Sequence, residues 1–451
     1  MPFFETIGGT YMKYKAIDLF CGAGGMSEGI TQAGFHIVYS NDINKQVEQT
    51  YTNRHEQLGL VHGENTFFQC EDIRNVNWQE MKKNLQSLPF FQNQQEILID
   101  VLFGGPPCQG FSRAGKRMKN DPRNFLFREY LRLIHEIQPK YVVMENVVGL
   151  LDTRLDGFKG VFGDTYPDDS LITDLLASEF EKIGYGHLEP RVLDASDYGV
   201  PQKRRRVIYL AYRKDMPKPR YPQPTTPLPE QKVTVHQAIS DLIIQDEYRH
   251  HHTTLSPYQK ERKNGKTVNR FVDTPLNQEL SKHDKYIVER FKLFQHGETQ
   301  KEIRDRLKKG FDPSPILLEK IKHDCKNDWS DEQWLDICRN SPTDDMINSV
   351  LTKKNTRKRL APNECSPTMM SAGDDFIHPY EPRALNVREM ARLQSFDDSF
   401  VFLGKRTTGG MLRRVDVPQY TQVGNAVPPL LAYAIASEMI QLLDECTSDL
   451  S

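Results

Sequence analysis

The sequence predicts an α/β protein with a mainly parallel sheet and a second, smaller domain. In the first half, short apolar runs repeatedly end in glycine or a carboxylate and are followed by helical spacing, which is typical of strand–turn–helix units. A chain of 451 residues exceeds the usual size of one hydrophobic core. A cluster of prolines at residues 216–229 predicts the linker between the two domains.

Composition narrows the class of protein. Hydrophobic residues make up 38% and charged residues 27%, as in globular proteins, and no apolar run approaches the length of a membrane span. Residues 1–5 lack the features of a signal peptide. The net charge of −2 means that any nucleic-acid surface has to be a local patch. Seven cysteines without a Cys-x-x-Cys pair favour a reduced intracellular compartment over a disulfide framework or a compact zinc site.

The first predicted strand, residues 15–20, runs into the glycine-rich stretch 21–29. A strand, a glycine-rich turn and a helix form the usual shape of a nucleotide-cofactor site. The spacing is not the dinucleotide Gly-x-Gly-x-x-Gly pattern, and it suits a backbone that passes close to a small charged ligand. Glycine-rich turns also occur where a helix and a strand only need to pack tightly.

The next two predicted strands, residues 36–40 and 66–70, are followed by Asp42 and Asp72. A carboxylate at the end of the second strand lies where such folds hold the ribose hydroxyls, although a capping role for Asp42 is the alternative. Asp72 could accept a hydrogen bond from an adenine amino group while Ile73 packs on the ring. Three consecutive strand ends of this kind predict an adenosyl-type cofactor.

The fourth predicted strand, residues 97–103, ends in two glycines and two prolines that lead to Cys108. This stiff loop presents the thiol beyond the carboxyl end of a strand, where ligands bind, so Cys108 is a candidate nucleophile. The alternative is a buried cysteine that acts as a small hydrophobe. The basic segment 113–121 suits phosphate contact or is a solvated loop.

The fifth predicted strand, residues 141–144, ends in Glu145, which we expect beside Cys108 as an acid/base partner. A helix is predicted over 125–137 and another over 171–183. Residues 187–193 and 195–210 predict a β-hairpin whose long turn holds Gln202 and four consecutive cations. Some of these cations are expected to point toward a cleft, although a charge run is usually a solvated face.

The remainder of the chain is less informative. Residues 230–385 predict a second domain without a clear period, and its basic run 353–359 is either a nucleic-acid patch or a solvated loop. Residues 386–451 are expected to return to the first domain. They include a helix near 387–393, a glycine–proline turn at 422–429 and a final helix over 430–443 that packs on the first domain.

These motifs, in this order, resemble those of the DNA (cytosine-5) methyltransferase family of the prokaryotic restriction–modification type. The resemblance covers residues 15–213 and about 359–443. Its motifs are residues 18–25, 105–112, 145–147, 202–206 and 422–427.

The resemblance implies a Rossmann-like S-adenosylmethionine-dependent methyltransferase domain. Its sheet would be mixed, mainly parallel and seven-stranded, with the last hairpin strand reversed, and residues 230–385 would form a target recognition domain. The implied cofactor is S-adenosylmethionine, without a metal. The implied cofactor residues are Phe20, Gly22, Ala23, Gly24, Gly25, Asp42, Ile43, Asp72, Ile73, Pro107, Leu126, Asn425, Ala426 and Val427.

The implied chemistry is methyl transfer to C5 of a cytosine that is flipped out of double-stranded DNA. Thiolate attack by Cys108 on C6 makes C5 nucleophilic, and Glu145 acts as the acid at N3. Arg204 and Arg206 favour the thiolate and hold the base oxygen and the phosphate. The implied DNA contacts are Gln109, Ser112, Arg113, Gln202 and Lys203.

The sequence departs from the family pattern at three places. Cys21 replaces a small residue, Asp42 replaces the usual glutamate, and residues 404–418, which include Arg413 and Arg414, are longer than is typical. The expected biological setting is a cytoplasmic monomer that modifies DNA and acts apart from a cognate restriction endonuclease. The alternatives are an RNA cytosine-5 methyltransferase, an inert DNA binder and, on the glycine-rich loop alone, a nicotinamide oxidoreductase.

Overall fold

The computed structural model describes residues 6–7, 10–92, 94, 96–107, 125–254, 272, 274–408 and 416–448. The chain forms two compact units. The first unit comprises Met1–Lys232, Gln394–Phe396 and Phe400–Ser451, and the second comprises Val233–Leu393 and Asp397–Ser399.

The first unit contains most of the strands. They are β1 (Thr6–Ile7), β2 (Thr10–Tyr11), β3 (Tyr14–Leu19), β4 (Phe35–Asp42), β5 (Phe67–Cys70), β6 (Val101–Gly104), β7 (Tyr141–Val147), β8 (Arg154–Leu155), β9 (Ser170–Leu171), β10 (Tyr185–His187), β11 (Arg191–Asp194) and β12 (Arg205–Arg213). The helices of this part are α1 (Gly25–Ala33), α2 (Lys45–Gln57), α3 (Trp78–Ser87), α4 (Leu126–Ile137) and α5 (Ile172–Lys182).

The main sheet has the order β10-β12-β7-β6-β3-β4-β5, with β11 paired to β12 as an eighth strand. The strands β7, β6, β3, β4 and β5 are parallel, and β12 is antiparallel to β7. The mainly parallel α/β fold with a reversed hairpin strand is therefore confirmed. The predicted seven strands become eight because the edge strand is interrupted: β10 pairs with residues 211–213 of β12 and β11 with residues 205–208.

The sheet is buried on both faces, as is usual for parallel sheets. Along β6 and β7, alternate side chains enter two hydrophobic clusters: Leu102 and Val142 enter one, and Phe103 and Val143 the other. Since neighbouring side chains of a strand point to opposite faces, one cluster lies on each side of the sheet. This burial explains why the sequence shows continuous apolar runs here.

The second unit is mostly helical. It contains α6 (Val235–Ile239), α7 (Lys285–Lys292), α8 (Gln300–Leu307), α9 (Pro315–Cys325), α10 (Asp331–Asn340), α11 (Asp344–Val350), α12 (Val387–Leu393) and the short strands β13 (Lys358–Arg359) and β14 (Phe376–Ile377). Four consecutive helices, α8 to α11, begin at a capping hydroxyl of Thr299, Ser314, Ser330 or Thr343. Their apolar sides meet in a core around Trp334.

Three of the five cations in the basic run 353–359 make contacts within the second unit. Lys354 pairs with Asp374 and Asp375 at 2.5 and 2.8 Å, and Arg357 pairs with Asp374 at 2.9 Å. Arg359 donates to backbone carbonyls of the same unit. These three cations are therefore used in contacts within the second unit, whereas Lys353 is exposed and Lys358 is half-buried, so the nucleic-acid patch stays a prediction.

The chain returns to the first unit through α13 (Gln419–Asn425) and α14 (Pro429–Ser448). The predicted turn at 422–429 is wrong in its first half, since residues 422–425 form the last turn of α13. The packing of the final helix on the first domain is confirmed: a Cβ on Gly29 of α1 would lie 2.5 Å from the backbone nitrogen of Tyr433 in α14. Only glycine permits this approach.

No single helix of the described ranges has the length and hydropathy of a membrane span, whereas α13 and α14 together, bent by 43°, meet both criteria.

The proline-rich segment 216–229, predicted as a linker, lies on the first unit. The Tyr221 hydroxyl donates to the Ile208 carbonyl oxygen at 2.9 Å, and the Tyr198 hydroxyl donates to that of Pro222 at 3.1 Å. Arg220 pairs with Glu438 of α14 at 2.7 Å. The segment is thus an ordered strap, and the boundary between the units follows it at Lys232.

Candidate active site

The glycine-rich loop after β3 has an unusual backbone. Phe20, Gly22 and Gly24 have φ values of +57°, +54° and +95°. For a residue with a side chain, this left-handed conformation is strained, and such strain is concentrated at functional sites. The Cys21 N–H donates to the Asn41 carbonyl at 3.1 Å, which fixes the loop against β4.

Asp42, at the end of β4, closes this loop. One carboxylate oxygen accepts a hydrogen bond from the Gly22 N–H at 3.1 Å, and the other accepts one from the Asn44 N–H at 2.9 Å. Burial raises the pKa of Asp42. Ile43, the next residue, is 66% exposed. The exposed apolar side chain of Ile43 beside the Asp42 carboxylate could contact a flat, partly apolar ligand.

Asp18 is a site residue that sequence reasoning missed, although it stands in the quoted 18–25 motif. Its carboxyl group is 1% exposed, and burial raises its pKa to about 7. Oδ2 accepts a hydrogen bond from the Ser27 hydroxyl, whereas Oδ1 has no partner among the described residues. Ser27 is in turn hydrogen-bonded to Tyr51, 3.0 Å away. A buried acceptor without a partner in the described part of the chain therefore lies beneath the loop.

The predicted adenine contacts need correction at Ile73. This side chain is only 3% exposed and lies in the core beneath the sheet, so it cannot offer a face to a ring. Asp72 accepts hydrogen bonds from the Arg74 N–H at 3.0 Å and from Arg74 Nε at 2.9 Å. Arg74 lowers the pKa of Asp72 and keeps it ionised. The exposed apolar surface near this strand end belongs to Ile43.

Glu145 and Arg206 form a pair at the ends of β7 and β12. Arg206 Nε lies 2.6 Å from Glu145 Oε1, and both side chains are largely buried. A Cβ on Gly105 would lie 3.2 Å from Glu145 Oε2. The Asn146 amide donates to the Pro106 carbonyl oxygen at 3.2 Å. A glutamate held by an arginine therefore lies against the segment that leads to Cys108.

Four predicted site residues, Cys108, Gln109, Ser112 and Arg113, lie outside the described residues. Pro107 and Leu126, on either side of that gap, are half-buried, and Lys203 is exposed.

The structure places Gln202 and Arg204 inside the protein. Gln202 is fully buried, and its amide donates to Gln394 Oε1 at 2.9 Å. Arg204 is 2% exposed and donates to the Gly424 carbonyl at 3.0 Å. Burial, then the neighbouring charge of Arg206, lowers the pKa of Arg204. The predicted DNA contact of Gln202 is therefore corrected, because its side chain has no surface that DNA could reach.

The turn after α13 lies on the glycine-rich loop. A Cβ on Gly25 would overlap the Val427 carbonyl oxygen and lie 2.9 Å from Ala426 Cβ, so this contact requires glycine. Asn425 is exposed and Ala426 is nearly buried. Glu145 and Val427 line one cavity of about 10 Å³, the space of a single water molecule. The structure thus brings the C-terminal turn next to both the loop and Glu145.

One group in the described part of the chain has the spacing of metal ligands: His378, Glu381 and Glu389 of the second unit. Arg383 pairs with both carboxylates, at 2.6 Å from Glu389. His378 Nδ1 accepts hydrogen bonds from the N–H groups of Tyr380 and Glu381 at 3.2 and 3.0 Å. The guanidinium already pairs with both carboxylates, so the geometry describes a buried ion cluster.

The loop residues fit S-adenosylmethionine. Around a Cβ on Gly22 there is open space, so a ligand can approach the backbone closely. Asp42 and the exposed Ile43 suit the ribose and the flat base of this cofactor.

Comparison with known proteins identifies the family of this chain. A family model described as C-5 cytosine-specific DNA methylase matches residues 14–441. Type II methyltransferase M1.HphI of Haemophilus parahaemolyticus is 30% identical over 96% of this chain and 88% of its own length, and M.DdeI of Desulfomicrobium norvegicum is 28% identical over 94% and 88%.

Among solved structures, a prophage-encoded E. coli protein assigned as a DNA modification methyltransferase has a TM-score of 0.59 at 22% identity, over 96% of this chain and 100% of that one, which supports the fold. With the family model matched over nearly the whole chain, the protein belongs to the C-5 cytosine-specific DNA methylase family and is a DNA (cytosine-5-)-methyltransferase.

Proposed function

We propose that this enzyme methylates C5 of a flipped-out cytosine in a specific DNA sequence, through a covalent bond between Cys108 and C6. The observation that carries the proposal is the Glu145–Arg206 pair, at 2.6 Å, beside the stiff segment 105–107 that precedes Cys108. S-adenosylmethionine would be held by the loop 20–25 with Asp42 and Ile43, and by the turn 425–427. When bound, it supplies an electrophilic methyl group.

Cytosine C5 is a poor nucleophile, so the ring has to be activated. Attack of the Cys108 thiolate on C6 forms a carbon–sulfur bond and moves electron density toward C5 and N3. Glu145 relieves the charge by donating a proton or a hydrogen bond at N3. After C5 has been methylated, loss of the C5 proton to a base expels the thiolate and restores the aromatic ring.

The contacts of Glu145 support its assigned role. Arg206 contacts one carboxylate oxygen, and the other lies beside Gly105, on the side of the segment leading to Cys108. Arg206 therefore fixes the orientation of the carboxyl group, and its charge favours a thiolate nearby. The Asn146 contact to Pro106 holds the backbone of the same segment.

We assign sequence recognition to the second unit, as the resemblance implies for residues 230–385. Specificity requires contacts to base edges, and the base itself has to leave the stack at a cost of about a few kcal/mol. Several relatives are named Type II methyltransferases, which supports a role in a restriction–modification system with a separate endonuclease. We propose that the enzyme acts as a monomer on cytoplasmic DNA.

A trapping experiment tests the mechanism. The protein is mixed with S-adenosylmethionine and duplex DNA of mixed sequence that carries 5-fluorocytosine. Fluorine at C5 cannot leave as a proton would, so the adduct persists and survives denaturation. We expect an adduct of protein plus DNA by mass, its loss in Cys108→Ser, and its slower formation in Glu145→Gln.

The control for the substrate is fluorinated RNA of the same sequences. An adduct with RNA alone would favour RNA methylation, and absence of both adducts with the cofactor still bound would favour an inert binder. An adduct retained by Cys108→Ser would refute the assigned nucleophile.

A further inference from the structure

We propose that Arg204 is a positioning residue for the cofactor turn 425–427 and not a phosphate ligand, and that Gln202 assists it. This inference rests on the proposed function, since it assigns parts of the same site. The two arginines of the 202–206 motif then have different roles. Arg206 contacts Glu145, which acts on the base, and Arg204 supports the turn 425–427, which contacts the cofactor loop.

The first argument is the direction of the Arg204 side chain. It is 2% exposed, and its Nη2 donates to the Gly424 carbonyl of α13 at 3.0 Å. Its backbone is fixed as well, because its N–H donates to Asp194 Oδ1 at 3.2 Å and its carbonyl accepts from the Ala195 N–H at 2.9 Å. A phosphate would have to displace these buried contacts to reach the guanidinium.

The second argument is a parallel contact through two glutamines. The Gln202 amide donates to Gln394 at 2.9 Å, and the Gln394 amide donates to the Val423 carbonyl at 2.8 Å. All three residues are buried. The segment before β12 thus reaches two consecutive carbonyls at the end of α13, one directly and one through Gln394.

The last carbonyls of a helix lack a donor from a following helical turn, and a cation near a helix C-terminus is favourable. The Gly424 carbonyl accepts from Arg204, and the Val423 carbonyl accepts from Gln394 in addition to the Ala426 N–H at 3.2 Å. Arg204 and Gln394 therefore determine where α13 ends and where the turn 425–427 begins. That turn touches Gly25 of the glycine-rich loop, and Val427 shares a small cavity with Glu145.

A consequence follows for the reaction. Removal of the Arg204 side chain should shift the turn 425–427, which contacts the glycine-rich loop. We therefore expect weaker binding of S-adenosylmethionine when no DNA is present. A phosphate ligand behaves differently: its removal weakens DNA binding and reduces the slope of log K against log salt by about 0.9. The two roles are thus separable by two equilibrium measurements.

The experiment compares Arg204→Met with Arg205→Met in the full chain. Arg205 is its exposed neighbour, so the control loses the same charge. S-adenosylmethionine binding is measured by calorimetry, and non-specific binding to a mixed-sequence duplex is measured over a salt series. We expect Arg204→Met to weaken cofactor binding about tenfold or more, with an unchanged salt slope, and Arg205→Met to leave cofactor binding unchanged.

Arg204→Lys and Gln202→Leu keep the proposal testable if Arg204→Met does not fold, which thermal unfolding reveals. A lysine can still donate to the Gly424 carbonyl, so Arg204→Lys should recover most of the cofactor affinity. Gln202→Leu leaves Gln394 without its donor and should weaken cofactor binding several-fold. Normal cofactor binding in Arg204→Met, or in Gln202→Leu where Arg204→Met does not fold, would overturn the proposal.

A reduced salt slope in Arg204→Met with normal cofactor affinity would also overturn it and would assign Arg204 to a phosphate. Failure of the proposed function has another signature: the unaltered protein would form no adduct with fluorocytosine DNA. In that case a loss of cofactor affinity in Arg204→Met would still establish the positioning role.

Discussion

The buried carboxyl group of Asp18 makes the stability of the first unit depend on pH. Its pKa is raised by burial from 3.8 to about 7. A raised carboxyl pKa means that the folded state prefers the protonated form, so this contribution to stability is complete below pH 3.8 and is lost as the pH rises through 7. Above pH 7 the protein holds a buried anion that a bound cation would stabilise.

We therefore expect Asp18→Asn to gain stability relative to the unaltered protein as the pH rises. Since one unit of pKa corresponds to about 1.4 kcal/mol, the difference in unfolding free energy between the two proteins should change by about 2–3 kcal/mol from pH 5 to pH 8.5. Urea unfolding at both pH values measures this difference. Parallel pH profiles for the two proteins would contradict it, and Asp328→Asn, at an exposed carboxylate, is the matched control.

The contacts of a single residue could be predicted from the sequence only where local signals also locate its partner. Glu145 was placed beside the segment leading to Cys108 because both follow adjacent parallel strands, and strand ends can be found from apolar runs. The burial of Gln202 could not be predicted, because its partner Gln394 is 192 residues away. The sequence indicated that some cations of this run would point toward a cleft, but it did not indicate that Arg204 would bind the Gly424 carbonyl at the end of α13.

The helices α1 and α2, which flank the glycine-rich loop, are joined by a buried ion pair. Arg54 donates to Glu28 through two nitrogens, at 2.7 and 2.8 Å, and both side chains are almost fully buried. The guanidinium also lies 5.4 Å from the ring centre of Phe400. Loss of one partner leaves a buried charge without its counterion, which is costly, whereas loss of both is much less so.

We expect Glu28→Leu to lower the free energy of unfolding by about 3–5 kcal/mol. The double variant Glu28→Leu, Arg54→Met should lose clearly less than the sum of the two single changes, because it removes the unpaired charge. Chemical denaturation of the four proteins measures the coupling. Asp215→Asn, in the exposed pair with Arg213, should cost about 1 kcal/mol or less. Additive single and double variants would contradict a coupled pair.

Elements were predictable where local signals were strong. The five parallel strands and the helices α4 and α5 were found within a few residues, because buried parallel strands appear as apolar runs, whereas α2 and α3 were not predicted. The helix α13 was taken for a turn because Gly424 and two prolines outweighed its helical spacing. In the second unit, Thr299 with Glu302 and Ser330 with Gln333 form capping boxes that would have marked two helices.

The whole molecule divides after Lys232, close to the end of the proline-rich segment. The proline-rich segment 216–229 suggested a linker, but its tyrosines and Arg220 attach it to the first unit, so prolines here stiffen a strap. The second unit could not be folded from pattern because its helices are short and its core assembles residues from 291 to 377. No local period reveals a core of that kind.

At the scale of the whole molecule, we expect cofactor binding to stabilise the two units unequally, because all the residues assigned to the cofactor lie in the first unit. A ligand at 100 times its dissociation constant stabilises the folded state that binds it by about 2.7 kcal/mol. Hydrogen exchange measured by mass spectrometry should therefore slow about 100-fold for core amides of β3, β4 and α14, while the helices α8 to α11 change by less than about twofold. Asp42→Asn, which weakens the closure of the loop, should reduce the protection of β3 and β4. Equal protection of α8 to α11 would show instead that the second unit shares the stabilisation and that the two units unfold together.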